Sequence, residues 1–387
     1  MDPIATDFFR ISDDFSADDL LIGETTRRFV REEFLPLVQD CYEDGRFPLP
    51  LVPRLGALGL LGAQLEGYGC AGVGSTAYGL IMKELERGDS GLRSFASVQG
   101  ALVMYPIHAF GSEEQKQMWL PRLARGEAIG CFGLTEPDFG SNPAGMKTKA
   151  TRKGSGWVLD GSKTWITNAP VADVAVVWAR TDEGIRGFLV EKGTPGFSAP
   201  EIKHKLSLRA SLTGSLYFDG CSLPASSLLP GTTGLKSALM CLSQARYGIA
   251  WGALGAAEDC LDEALAYSQN RIMFDKPLAS FQLVQAKLAH MATQIALGNL
   301  CVARLAALKE AGQLHPAQIS MAKQNNVKIA LECARTARDV LGANGISLEH
   351  RAMRHACNLE SVSTYEGTND IHVLVVGQAL TGLQAFS

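Results

Sequence analysis

Between residues 17 and 43 the apolar positions Leu21, Phe29, Val30, Phe34, Val38 and Cys41 recur near helical spacing with charges between them, which predicts an amphipathic helix. Helical stretches are expected again over 50–61, 75–87 and 93–110, and Ser112-Glu-Glu-Gln115 reads as a capping box that opens another. From about Ala128 the texture changes to short β-rich runs at 129–134, 157–159, 164–167, 174–179, 187–190 and 216–218. Asp160-Gly161 between two of these runs is a hairpin signal, and Lys192-Gly-Thr-Pro-Gly196 ends another strand. No long helical pattern lies between the strands, so an antiparallel sheet is expected. After Gly234 helical periodicity returns over about 237–271, 280–311, 316–341 and 352–381, joined by short connections, which predicts an antiparallel four-helix bundle. The pattern describes an α+β multidomain chain with an N-terminal helical domain (1–127), a middle β domain (128–235) and a C-terminal helical bundle (236–387).

A chain of 387 residues with 46% hydrophobic content can bury a large core. Its net charge of -4, without a long basic block, argues against nucleic acid as the partner. The nine cysteines form no C-x-x-C pair and no metal-ligand spacing with the seven histidines, so they read as buried thiols in a reducing compartment, with no metal expected. The start, Met1 to Asp7, is acidic and lacks the marks of a signal or transit peptide. A cytoplasmic protein is expected, or a mitochondrial matrix one if the chain is a processed eukaryotic form. Apolar runs such as 373–376 are too short for a membrane span of about 20 residues.

Gly67-Tyr-Gly-Cys-Ala-Gly72 fits a nucleotide-binding G-x-G-x-x-G, but its neighbours are helical on both sides, so a turn between helices is the expectation. Near the other end, Glu366 stands between Tyr365 and Gly367, with Thr368, Asn369 or Asp370 placed to cap the apolar run that follows. A carboxylate beside a glycine that admits close approach suits a base, although a lone Glu in a capping loop is more often structural. Phe132-Gly-Leu-Thr-Glu-Pro-Asp-Phe-Gly-Ser141 displays amides and hydroxyls from a loop stiffened by Pro137, suited to a flat heterocycle. Lys163-Thr-Trp-Ile-Thr-Asn168 adds Trp165, able to cover a ring face or simply to fill the core, and Thr167 as a donor.

Taken with Arg271-Ile-Met-Phe274, and in the same order along the chain, these motifs resemble the acyl-CoA dehydrogenase family. The resemblance implies FAD as cofactor. Phe132, Leu134, Thr135, Gly140, Ser141, Trp165, Ile166 and Thr167 would lie against the flavin, Ser141 also touching the CoA substrate. Arg271, Phe274 and Gln282 would bind the diphosphate and adenosine across a subunit contact. Leu341, Gly342 and Gly345 would complete that site, and Thr368 and Asn369 would also bind the cofactor. Glu366 would be the catalytic base, removing a proton next to the thioester carbonyl while the neighbouring carbon gives hydride to the flavin.

Leu85-Glu-Arg-Gly-Asp-Ser-Gly-Leu-Arg-Ser94 resembles the glutaryl-CoA dehydrogenase branch, in which an Arg followed by Ser receives a distal carboxylate. Arg93 and Ser94 would do so here, with Glu86, Tyr365, Arg246 and Gly367 as further substrate contacts. Arg93 paired on its helix with Glu86 or Asp89 is the structural alternative. Gly88 and Phe95 depart from that branch, as Asn142, Met273, Asp275 and Ala343 depart from the wider family. The implied reaction is oxidation of glutaryl-CoA and decarboxylation to crotonyl-CoA, in a homotetramer passing electrons to an electron-transferring flavoprotein. The alternatives are another dicarboxylic or aryl-substituted acyl-CoA without decarboxylation, a flavin oxygenase or oxidase on the same scaffold, and a silent CoA-binding scaffold.

Overall fold

The computed structural model describes residues 7–385; residues 1–6, which carry most of the expectation about location, lie outside them. The N-terminal third folds as α1 (Ala17–Phe29), α2 (Leu35–Asp44), α3 (Val52–Ala57), α4 (Ser75–Gly88), α5 (Ser90–Ser97), α6 (Tyr105–Phe110) and α7 (Glu113–Ala124). The Ser112 and Gln115 side chains reciprocally cap α7, as the motif predicts. Residues 67–72 form a turn between α3 and α4, with positive φ at Gly67, Gly69 and Gly72 and no strand before them.

The middle strands are β1 (Gly130–Gly133), β2 (Lys149–Lys153), β3 (Gly156–Thr167), β4 (Val174–Thr181), β5 (Gly184–Glu191), β6 (Phe197–Ser198) and β7 (Thr213–Leu223). They run in the order β1-β4-β2-β3-β7-β6, with β5 also paired to β4. Two details differ from expectation. First, β1 pairs with β4 in parallel, because the chain between them returns through the β2–β3 hairpin and needs no crossover helix. Second, Asp160-Gly161 is not a hairpin turn but an irregularity within the continuous strand β3, whose register shifts between Leu159 and Gly161. The turn lies earlier, between Lys153 and Gly156, which pair as the last residues of β2 and β3.

The C-terminal part comprises α8 (Leu235–Asn270), the short hairpin β8 (Ile272–Met273) and β9 (Lys276–Pro277), then α9 (Gln282–Glu310), α10 (Pro316–Val340), α11 (Arg351–Thr364) and α12 (Asn369–Thr381). The helical run expected over 352–381 is broken at Tyr365, which is extended, and at Glu366 and Gly367, with φ of 53° and 90°. Thr368 then caps α12, accepting the Ile371 N–H at 3.3 Å. α4 and α8 share a core in which Tyr78, Met82 and Leu85 meet Tyr247, Trp251 and Leu254. Gly79 is required there, because a Cβ would stand 2.3 Å from the Trp251 ring. That close approach brings the end of α4 beside the middle of α8.

α9 is long and apolar enough to cross a membrane by length and composition, but its Leu288, Met291 and Ile295 pack in the bundle core. Of the nine free cysteines, six are buried, whereas Cys70, Cys301 and Cys357 are only partly so.

Candidate active site

The junction of α4 and α5 is set by Asp89. Its backbone is extended (φ -168°), and its buried carboxylate accepts from Gly91 N–H at 2.7 Å, from Asn358 Nδ2 at 2.8 Å and from the Arg354 guanidinium. α11 is thereby tied to the break that brings Glu86 and Arg93 together. Arg93 Nε donates to Glu86 Oε2 at 2.7 Å, and its Nη2 donates to Glu86 Oε1 at 3.4 Å and to the Tyr365 hydroxyl. The Ser94 Oγ lies 3.2 Å from the same hydroxyl, and the Tyr365 ring lies under the guanidinium at 5.5 Å. The pairing of Arg93 with Glu86 is therefore real, yet it does not use the whole fork. Arg93 is 0% exposed and, among the described residues, its Nη1 has no partner. A buried charged donor left unmet costs on the order of 1–3 kcal/mol, which a ligand's acceptor would recover. Phe95 packs away from this centre, stacked on Phe47 at 4.5 Å, and Gly88 is fixed by Val30, whose Cγ1 would be 2.7 Å from a Cβ.

The loop carrying Glu366 is held from below by two cations. Arg246 of α8 donates through Nε to the Glu366 carbonyl at 2.7 Å. Lys323 of α10 donates through Nζ to the Tyr365 carbonyl and, at 2.7 Å, to that of Gly367. Arg246, read from the sequence as a substrate contact, also clamps the loop backbone through its Nε. Lys323 escaped the sequence reading, although Ile319, Lys323, Asn326 and Ala330 form one buried stripe on α10. A lysine in such a stripe needs acceptors. Glu366 Oε2 is buried and, among the described residues, has no protein partner. Burial raises its carboxyl above the ordinary 4.5, opposed by Lys323, Arg93 and Arg246. Burial also pushes Lys323 down to about 7, opposed chiefly by the Glu366 charge. His372, buried in the first turn of α12, is pushed down to about 3 by burial and by the Lys323 and Arg246 charges, so it is neutral. Its ring sits 2.9 Å from where a Cβ of Gly367 would be, so residue 367 must be glycine.

A second group of predicted residues gathers on the sheet. The Thr164 N–H donates to the Thr135 carbonyl at 2.9 Å, joining the 132–141 loop to the end of β3. The β3–β7 register shifts between Lys163 and Ile166, and Trp165 has φ 60°. This bulge turns the indole outward, 62% exposed, which excludes the core-aromatic alternative. Thr135 and Thr167 are half-buried, while Gly140 and Ser141 are exposed in the loop beyond. Phe132, Leu134 and Ile166 bury their side chains in the core, which leaves only their backbone for a ligand. Underneath, Lys163 was missed as a structural determinant. Its buried Nζ donates to Glu136 Oε1 at 2.8 Å and to the Leu134 carbonyl at 3.1 Å. Burial pushes the Glu136 carboxyl up, but hydrogen bonds from Lys147 N–H, Lys163 and Thr148 outweigh it and hold the pKa at about 2.

The third group lies at the end of α8. Phe274 and Asp275 both have positive φ in the tight β8–β9 turn, which leaves the Phe274 ring 84% exposed. A cleft of ≈ 460 Å³ beside it is lined by Lys276, Ser280, Phe281, Gln282 and Leu283. Leu341 is buried, Gly342 adopts φ 61°, and Gly345 is enclosed, with Arg338 O 2.4 Å from a would-be Cβ. Asn344 Nδ2 donates to the Tyr267 hydroxyl at 3.1 Å, so the 341–345 loop sits one helical turn from Arg271, which is exposed. Among the described residues, no hydrogen bond joins this group to Thr135 or Trp165. Asn369 opens α12 beside the Thr368 cap.

Models of the acyl-CoA dehydrogenase N-terminal, middle and C-terminal domains match residues 16–127, 131–221 and 232–381. The chain is 38% identical over 364 residues to human mitochondrial short-chain specific acyl-CoA dehydrogenase, covering 92% of this chain and 88% of that one. It superposes on glutaryl-CoA dehydrogenase from Mycobacterium smegmatis with a TM-score of 0.98 at 57% identity, over 99% of each chain. A second glutaryl-CoA dehydrogenase structure from M. smegmatis, in complex with FADH2, gives 0.98 at 54% identity, again over 99% of each. With all three domain models matched in order and a curated relative above 30% identity along most of its length, the chain belongs to the acyl-CoA dehydrogenase family.

Proposed function

We propose that this acyl-CoA dehydrogenase binds FAD and oxidises glutaryl-CoA, releasing CO2 to give crotonyl-CoA. The single observation that carries the substrate is the buried Arg93, whose Nη1 remains unpartnered beside Glu86, Ser94 and Tyr365. An arginine fork grips a carboxylate bidentately, and this one has a free arm in a buried position. The charges around it support the same reading. Arg93, Arg246 and Lys323 all lie around Glu86 and Glu366, so a second carboxylate would enter a site where cations gather, which a plain acyl chain would not use.

The residues on the sheet fit a flavin. Trp165 presents an aromatic face, and Thr135 and Thr167 offer hydroxyls from the 132–141 loop and the end of β3, which are bonded to each other. Trp165 would flank the ring system, with Thr135 and Thr167 bonding its edge and Gly140 and Ser141 admitting the CoA chain. Arg271, Phe274, Gln282 and the 341–345 loop would hold the diphosphate and adenosine of a neighbouring subunit's cofactor. FAD, when bound, accepts the hydride from the β-carbon. Glu366 takes the α-proton. Its backbone N–H is the donor for the thioester oxygen, so developing charge is met by a fixed dipole. After dehydrogenation the distal carboxylate is vinylogous to the thioester. Loss of CO2 leaves a dienolate, which takes back a proton from Glu366. Family membership supports assembly as a homotetramer, which would cover exposed apolar residues such as Phe274, Leu283 and Leu380. Family membership supports an electron-transferring flavoprotein as the acceptor.

The test is product analysis with a panel of CoA thioesters and an artificial acceptor. Glutaryl-CoA is expected to give the highest kcat/KM, with one CO2 and one crotonyl-CoA per turnover. Oxidation without CO2 would remove the decarboxylating half of the reading. Preference for butyryl-CoA would remove the substrate assignment.

A further inference from the structure

Lys323 is 1% exposed and, among the described residues, has no carboxylate within salt-bridge distance; its ammonium is spent on the carbonyls of three consecutive residues. It donates to Tyr365 and, at 2.7 Å, to Gly367, with Glu366 O farther off at 3.5 Å and taken instead by Arg246 Nε at 2.7 Å. The middle residue of the three is a non-glycine in the left-handed region, φ 53°. That conformation costs energy in an L-residue and persists only where surroundings enforce it. A planar trans peptide fixes its N–H opposite its C=O. Anchoring the Tyr365 carbonyl on Lys323 therefore aims the Glu366 N–H away from α10. Among the described residues that N–H donates to no protein acceptor.

We infer that Lys323 is a positioning residue for the reaction: by gathering the carbonyls of Tyr365 and Gly367 it sets the direction of the Glu366 N–H and carboxylate. The inference rests on Glu366 being the base. The charged or titratable groups around Lys323 are Glu366, Tyr365, Arg246, Arg93, Glu86 and His372. Two of these, Arg93 and Arg246, are cations that remain when Lys323 is replaced. The residual effect is therefore chiefly one of geometry, with a smaller effect of charge.

The test compares holoenzymes carrying Lys323→Met and Glu366→Gln with wild type, each with flavin content and thermal melting measured. Lys323→Met is expected to lower kcat about 100-fold, as misplacement of reacting groups by about 1 Å does, while KM changes less than about threefold. Loss of a cation beside Glu366 should also move the acid limb of kcat to higher pH. A merely structural lysine would lower stability and leave that limb in place. Wild-type kcat and an unmoved limb in Lys323→Met, with Glu366→Gln inactive, would overturn the inference and leave the base assignment standing. Near-normal turnover in Glu366→Gln would remove the base assignment and the inference with it. Should Lys323→Met not fold, Lys323→Gln keeps a donor without the charge. It is expected to retain more kcat and to show the raised acid limb, and a wild-type profile there would overturn the inference.

Discussion

Arg93 and Trp165 both belong to the proposed site, yet the first is wholly buried and the second is largely exposed. Around Arg93 the protein supplies most of the partners itself: Glu86, Tyr365, Ser94 and, through Asp89, the α11 side chains Arg354 and Asn358. Around Trp165 it supplies a rigid support, the Lys163–Glu136 pair, and leaves the upper face bare. The difference is chemical. A carboxylate must be read in a dry pocket of fixed charge, because water would screen the fork and weaken the discrimination. A flavin brings its own large flat surface and needs a platform with donors at its edge. One half of the site is therefore organised before ligand arrives, and the other is completed by it.

The largest effect is expected at the base. Glu366→Gln is expected to keep the fold and bound flavin but to lose about 100- to 10,000-fold in kcat, because an amide accepts no proton. Single-turnover bleaching of the flavin by substrate would measure this directly. The same residue predicts a pH dependence. Burial raises the Glu366 carboxyl above 4.5, and it acts only when ionised, so activity falls as pH drops through that raised value. For stability the sign is reversed. A raised carboxyl favours the folded state below the unfolded value and loses that contribution as pH rises through the folded one, so Glu366→Gln should melt no lower than wild type at pH 7.

The support beneath Trp165 comes next. Glu136→Gln leaves Lys163 buried without its counter-charge, which costs about 3–5 kcal/mol, read by chemical denaturation. Flavin should be lost at lower denaturant than the fold. In the wild type the Glu136 carboxyl is held at about 2, so its stabilisation is complete above 4.5 and is lost as pH falls between those values. Flavin release titrating in that window would link the buried pair to the platform. The smallest effect is expected at the exposed ring itself. Trp165→Ala should change chain stability by less than about 0.5 kcal/mol yet weaken flavin binding by about 0.5–1.5 kcal/mol. If Trp165→Ala destabilised the apoprotein by several kcal/mol, the contrast between the two halves would be wrong.

The sequence was most readable where chemistry is local. Helical spacing, the Ser112–Gln115 box and the Thr368 cap are properties of neighbouring residues, and each is in place. The grouping of Glu86, Arg93, Ser94 and Tyr365 came from resemblance, and the structure brings all four together. What escaped depends on partners far along the chain. Lys323, despite its place on a buried stripe of α10, and Lys163 show no role until their acceptors at 365–367 and 136 are known. The parallel β1–β4 pair escaped because strand direction is set by the route of the whole domain. Positive φ at Trp165 and Glu366 has no sequence signal, since neither residue type favours it.

Whether Arg93 receives a substrate carboxylate is read from the ratio of kcat/KM for glutaryl-CoA to that for butyryl-CoA in wild type and in Arg93→Met. Leaving the substrate's charge buried and unpaired should cost glutaryl-CoA about 2–5 kcal/mol, so the ratio should fall by roughly 30-fold or more, with butyryl-CoA little changed or improved. An equal loss for both substrates would contradict the account and make Arg93 a support for Glu86 and Tyr365 alone.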